Sequence, residues 1–160
     1  MRRSRRLARA RATRMGYSMT LLAPIDPPAV PSEMAGYVAC DAEDDIARYL
    51  LRPHFAPDRE TLLFAGFDAF DRLVRVERTG GDNASRCIIP PRCWRGLIGS
   101  GVVTVIMAHN HPSGDPRPSA ADTRTTQETA HFLRTMDIEL VDHLIFVVDG
   151  HFSFRSAEML

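Results

Sequence analysis

"GVVTVIMAHNHPSGDPRPSAAD", residues 101–122, runs through three kinds of chain in succession. The opening "VVTVIMAH" is almost wholly apolar, the composition of a central strand covered on both faces. "PSGDPRP" follows, a turn-forming stretch that lets the chain double back. "SAAD" then opens a helix predicted over roughly Ala120 to Met136: Ser119 is placed as N-cap and Asp122 stands three residues on, a capping-box spacing. An acid there also suits the positive end of the helix dipole. Strand, turn and helix in this order are half of an α/β unit.

Two histidines sit at the joint. Alternate residues of a strand point the same way, so His109 and His111 project together from its carboxyl end. Ligands of open α/β sheets gather at that edge. With Asp122 in the first turn of the next helix, two imidazoles and one carboxylate leave a fourth position for water, the donor set of a catalytic zinc site. Each piece also has a plain explanation. Ser119 and Asp122 alone need only cap a helix, and an isolated H-x-H often does no more than satisfy local hydrogen bonds. The joint pattern H-x-H-x(7)-S-x-x-D at the end of a core strand is far more specific than its pieces, and capping is compatible with ligation. Water on zinc needs a base to accept its proton. Glu60, at the start of an earlier strand, is the candidate; Glu77 is its rival, with a solvent-facing charge as the ordinary alternative.

Working outward, "CDAEDDIARYLLRP" offers Asp41 as N-cap, with Ile46, Tyr49 and Leu50 at helical spacing and Pro53 as a stop. "ETLLFAGFD" and "RLVRVERTG" are strands joined by a turn at "DAFD", hence a hairpin. "PPRCWRGLIGSG" has proline at the start and glycine at the end of a helix. "IELVDHLIFVVDGHFSF" supplies two more strands around Asp149-Gly150. Interleaved helices and strands give an α/β sandwich with a mixed sheet.

Composition narrows the chemistry. All 20 basic residues are arginine, so Schiff-base chemistry and a phosphate-loop lysine are excluded. Residues 1–40 form an arginine-rich, then proline-rich tail or linker, expected to be flexible, and Met15 or Met19 serves equally well as a start. That arm is the one plausible nucleic-acid contact, because residues 41–160, the expected globular domain, carry an acid excess. Cys40, Cys87 and Cys93 form no C-x-x-C and read as packed, reduced thiols of a cytoplasmic protein. No apolar run reaches the roughly 18 residues a membrane span requires. His54, His131 and His151 are expected at the surface.

"AHNHPSGDPRPSAAD" followed by "TTQ" resembles the signature of the bacterial RadC family, part of the wider JAMM (MPN-plus) metalloprotease-like group. The likeness runs over about residues 43 to 156, including "ETLLFAGFD", "IIPPRCWRGLI" and "LVDHLIFVVDGHFSF". The resemblance implies a cytidine-deaminase-like α/β/α sandwich, zinc held by His109, His111 and Asp122, Glu60 as general base, and Ser119 orienting or stabilising the oxyanion. It implies a hydrolase acting on an unknown peptide or protein substrate, at peptide or isopeptide bonds. Deaminase chemistry does not carry over, since no P-C-x-x-C supplies thiolate ligands. Asp142 and His143 match a family "DH" pair and read as structural or as supports behind the ligands. Full-length members usually begin with a helix-hairpin-helix region, for which the first 40 residues are too short and too proline-rich. The closing "EML" replaces the family's usual Gly-Leu. A non-catalytic, DNA-repair-associated or scaffold protein is the competing reading.

Overall fold

A computed structural model describes residues 34–80 and 89–160. The arginine-rich arm, most of the proline-rich linker, and Cys87 lie outside the described residues. The described chain forms one six-stranded sheet: β1 (Tyr37–Ala39), β2 (Thr61–Phe67), β3 (Leu73–Gly80), β4 (Thr104–Asn110), β5 (Glu139–Val147) and β6 (Gly150–Ser153). Their order across the sheet is β1-β6-β5-β4-β2-β3. The sheet is mixed because β4 runs antiparallel to β2 but parallel to β5. A parallel neighbour needs a crossover, and helix α2 (Ala120–Arg134) provides it.

The two hairpins follow their turn chemistry. Between β2 and β3, Asp68 accepts hydrogen bonds from the amides of Phe70 and Arg72, at 2.9 and 3.0 Å, and so fixes the reversal. Between β5 and β6 the chain turns through Val148-Asp149, with Val147 paired to Gly150. Helix α1 (Pro91–Ile98) starts with proline and ends at Gly99, as the sequence predicts.

Period-two alternation sorts the strands onto two cores. Leu62, Phe64, Val105 and Met107 meet Leu97 of α1 and Leu133 of α2 on one face. Leu63, Ala65, Ala108, Leu144 and Phe146 meet Ala47 and Leu51 on the other. The second cover is a short helical segment, Ile46–Leu51, wound as a π-helix. Here the sequence reading is corrected. Asp41 lies in a separate 3-10 turn, Cys40–Ala42, and does not cap the segment, whose start at Asp45 is preceded by Asp44, accepting from the Ala47 amide at 2.8 Å. Ala47 and Leu51 face the sheet, whereas Tyr49 is 68% exposed. Of the three residues expected on the inner face, Leu50 packs against this core, while Ile46 and Tyr49 are exposed and Ala47 and Leu51 take their place. Truncating Phe64, wedged beside Trp94 at a ring separation of 5.4 Å, costs about 3–5 kcal/mol by the usual core rule.

Among the described residues no helix is long and apolar enough to cross a membrane. His131 is exposed and His54 half-buried, but His151 is buried, contrary to expectation. Its Nδ1 lies 2.9 Å from Glu43 Oε1, and that carboxylate also takes Arg52. Cys93 is buried and Cys40 partly so; both are free thiols.

Candidate metal centre

His109 sits on β4 opposite Leu62 of β2, on the side of the sheet that α2 covers. His111 follows immediately after the strand, and its amide bonds to Phe146 O at 2.9 Å, so it prolongs the β4–β5 edge. The turn then closes on itself: Gly114 N reaches His111 O at 3.1 Å, and Gly114 adopts φ +81°, a conformation that favours glycine. This reversal brings the start of α2 over the two rings.

The start of α2 is capped in both directions. Ser119 Oγ accepts from the Asp122 amide at 3.1 Å, and Asp122 Oδ2 accepts from the Ser119 amide at 2.7 Å. Ser119 Oγ also donates to Asp122 Oδ2 at 2.6 Å. The capping box therefore fixes the carboxylate, and the carboxylate faces the histidines. Asp122 Oδ1 is 3.3 Å from His109 Nε2, and Oδ2 is 3.6 Å from His111 Nε2. The two Nε2 atoms are 2.9 Å apart.

Glu60 approaches from β2. The β2–β4 register pairs Leu62 with His109, and its continuation sets Glu60 beside His111. One oxygen of Glu60 and one nitrogen of each histidine lie within 4.8 Å of one another. Glu60 is exposed. Glu77, the rival, is placed elsewhere: it points toward Gly96 of α1 and accepts from Arg75 Nε at 2.6 Å.

Electrostatics separate the two imidazoles. Burial drives the His109 pKa down to about 4, with only partial relief from Asp122. His111 also pays for burial, but Asp122, the Asp115 carbonyl and Glu60 outweigh it and raise its pKa. Burial works against ionised Asp122, yet His111, His109 and Ser119 together hold its carboxyl far below the usual range. His109 is thus neutral at neutral pH, Asp122 is ionised, and His111 is the ring that retains a proton most readily.

Two supporting residues, Asn110 and Thr126, escaped the sequence reading, while His143 stands behind His109 as that reading expected. Asn110 points to the opposite face from its histidine neighbours, is buried, and accepts from the Thr61 amide at 2.9 Å. Its amide nitrogen donates to Ala56 O and Arg59 O at 2.9 and 2.8 Å. It therefore grips the backbone on both sides of Glu60. The period-two rule could have found it, since a polar residue between two ligand candidates on a buried strand requires partners. Thr126, one turn after Asp122, touches His143, which in turn touches His109. Asp142, the other half of the "DH" pair, is structural: it accepts from Ser153 Oγ at 2.6 Å and from the Arg155 amide at 3.0 Å, tying β5 to the chain after β6.

The donor set fits a first-row cation. Tetrahedral sites with bonds of about 2.0–2.2 Å hold donor atoms roughly 3.3–3.5 Å apart. Separations of 2.9, 3.3 and 3.6 Å bracket that range. His111 Nδ1 is engaged by Asp115 O at 2.8 Å, which leaves Nε2 to face the site.

A family model described as RadC-like JAB domain matches residues 40–159. The chain belongs to the RadC-like JAB-domain family. A UPF0758 protein of Burkholderia mallei is 39% identical over 119 residues, covering 72% of this chain and 41% of that protein. One from Paraburkholderia xenovorans is 38% identical over 91 residues, 56% of this chain and 36% of its own. A Stenotrophomonas maltophilia relative is 36% identical over 117 residues, 72% of this chain and 50% of its own. The RadC-like chain thus matches at most half the length of these relatives.

Proposed function

We propose that this RadC-like domain is a zinc-dependent hydrolase of the JAMM type that cleaves peptide or isopeptide bonds in a peptide or protein substrate, on a cytidine-deaminase-like α/β/α sandwich. The observation that carries the reading is the meeting of His109, His111 and Asp122 at 2.9–3.6 Å, with the exposed Glu60 carboxylate alongside. His109, His111 and Asp122 would hold the metal. A bound zinc would supply a Lewis acid for the carbonyl and would bring the pKa of a coordinated water to about 7. Glu60 stands within one-water reach of the histidine nitrogens, accepts a proton there and hands it to the departing amine. Ser119 orients Asp122 through its hydroxyl; to donate to an oxyanion, that hydroxyl must turn away from Oδ2, where the Ser119 amide remains to hold the carboxylate.

The test compares wild type and Glu60→Gln, both loaded with zinc, on a peptide and isopeptide library read by mass spectrometry. Retained zinc with turnover lower by about 10²–10⁴-fold is expected of a lost general base. Equal turnover in the two proteins would remove Glu60 from the chemistry.

A further inference from the structure

Behind His109 runs a line of hydrogen bonds with only one consistent direction. His109 Nδ1 is 2.8 Å from His143 Nε2, and His143 Nδ1 is 2.6 Å from Thr126 Oγ1. Thr126 Oγ1 lies 2.6 Å from the carbonyl oxygen of Asp122. A carbonyl oxygen only accepts, and a hydroxyl carries one proton. At that separation the Thr126 proton must lie on the line to Asp122 O, since two acceptors so close would repel. Thr126 Oγ1 is therefore the acceptor toward His143, and His143 carries its proton on Nδ1.

His143 is fully buried. Its ring stacks on Phe154 at 4.7 Å with planes 13° apart, and no carboxylate touches either ring nitrogen. An unpaired imidazolium in such a place is costly, so the ring is neutral and its Nε2 is a bare acceptor. His109 must then donate from Nδ1, which leaves the lone pair on Nε2 facing His111 and Asp122.

We infer that Thr126 and His143 form a tautomer-setting relay that holds His109 with its metal-binding Nε2 unprotonated before any cation arrives. The inference rests on the metal-site reading above. Thr126 and His143 are positioning residues, since neither faces the ligand triangle. The relay also closes a loop, because it begins on the backbone of Asp122 and ends on the ligand atom opposite that residue's own carboxylate. Helix α2 thus fixes both sides of the site from one turn.

The experiment uses the full chain, ¹⁵N-labelled at histidine and stripped of metal. Long-range ¹H–¹⁵N spectra report which ring nitrogen carries the proton. The expected result is Nδ1–H for both His109 and His143. Thr126→Val keeps the shape but removes the acceptor, so His143 moves its proton to Nε2 and His109 becomes Nε2–H. Zinc affinity, read by chelator competition, then falls about 10–100-fold. Thr126→Ser restores both readouts. Nε2–H on His109 in wild type, or Thr126→Val binding zinc as tightly as wild type, overturns the relay. If Thr126→Val does not fold, the wild-type tautomer decides alone. A wild type that takes no zinc but shows the expected tautomers would refute the metal reading and leave the relay standing.

Discussion

Two imidazole–carboxylate clusters lie in this domain, and they solve the same electrostatic problem differently. At the Ile46–Leu51 side, Glu43 is buried with His151 and Arg52. Arg52 also donates to Val147 O and Gly150 O at 2.9 and 3.0 Å, and its guanidinium lies 4.9 Å from the Phe146 ring centre. A covalently attached cation satisfies every acceptor present. Burial would raise the Glu43 pKa, but Arg52 and His151 hold it below the ordinary value. At the end of β4, Asp122, Glu60 and two imidazoles gather without such a partner: among the described residues no arginine pairs with either carboxylate. One cluster is closed by an arginine, while the other is a candidate metal centre whose carboxylates have no arginine partner among the described residues.

The contrast can be broken by mutation. Asp122→Ala removes one ligand and the charge that balances the cation, so zinc affinity should drop by at least about 10³-fold in a chelator competition. An affinity within tenfold of wild type would mean that the triangle is not the ligand set. Arg52→Leu should do the reverse. Glu43 would remain buried beside His151 alone, and a broken buried pair costs about 3 kcal/mol, here at the low end because Arg52 is partly exposed. Thermal unfolding should shift down by roughly 10 °C with zinc affinity unchanged. Lost zinc binding in Arg52→Leu would show that the two clusters are not independent.

Proton competition sharpens the comparison. His111 must give up its proton to bind a metal, and its pKa is raised above the usual 6.5 despite burial. Zinc affinity should therefore be full above that raised value and fall about tenfold per pH unit below it. His109, at about 4, adds to the fall only in much stronger acid. A flat affinity from pH 8 to pH 5.5 would contradict this assignment. The smallest effect is expected for Ser119→Ala, which loses the cap at about 1 kcal/mol and loosens Asp122, lowering zinc affinity only a few-fold.

The meeting of His109, His111 and Asp122 was the part of the candidate site most open to a sequence reading because its spacing is local. His109, His111 and Asp122 are joined by one strand edge and one capped helix start, and both follow short-range rules. Glu60 needed the β2–β4 pairing, a contact between distant segments that periodicity suggests but does not fix. Asn110 and Thr126 were harder still, whereas His143 was reached only through the family "DH" pair. Their side chains act through hydrogen bonds between elements, and a threonine in a helix or an asparagine in a strand carries no local mark of its partner. The same reason explains His151: its burial depends on Glu43, far away in sequence. At Ile46–Leu51 the larger Ile46 and Tyr49 were taken for the inner face, whereas small Ala47 lies there with Leu50 and Leu51, and residue size alone does not say which face meets the sheet.

Native mass spectrometry of the wild type and of His109→Ala, each incubated with one equivalent of zinc, tests the central claim most directly. One zinc retained by the wild type and none by His109→Ala is the expected result. Equal zinc in both proteins, or none in either, would contradict a metal centre built on that histidine.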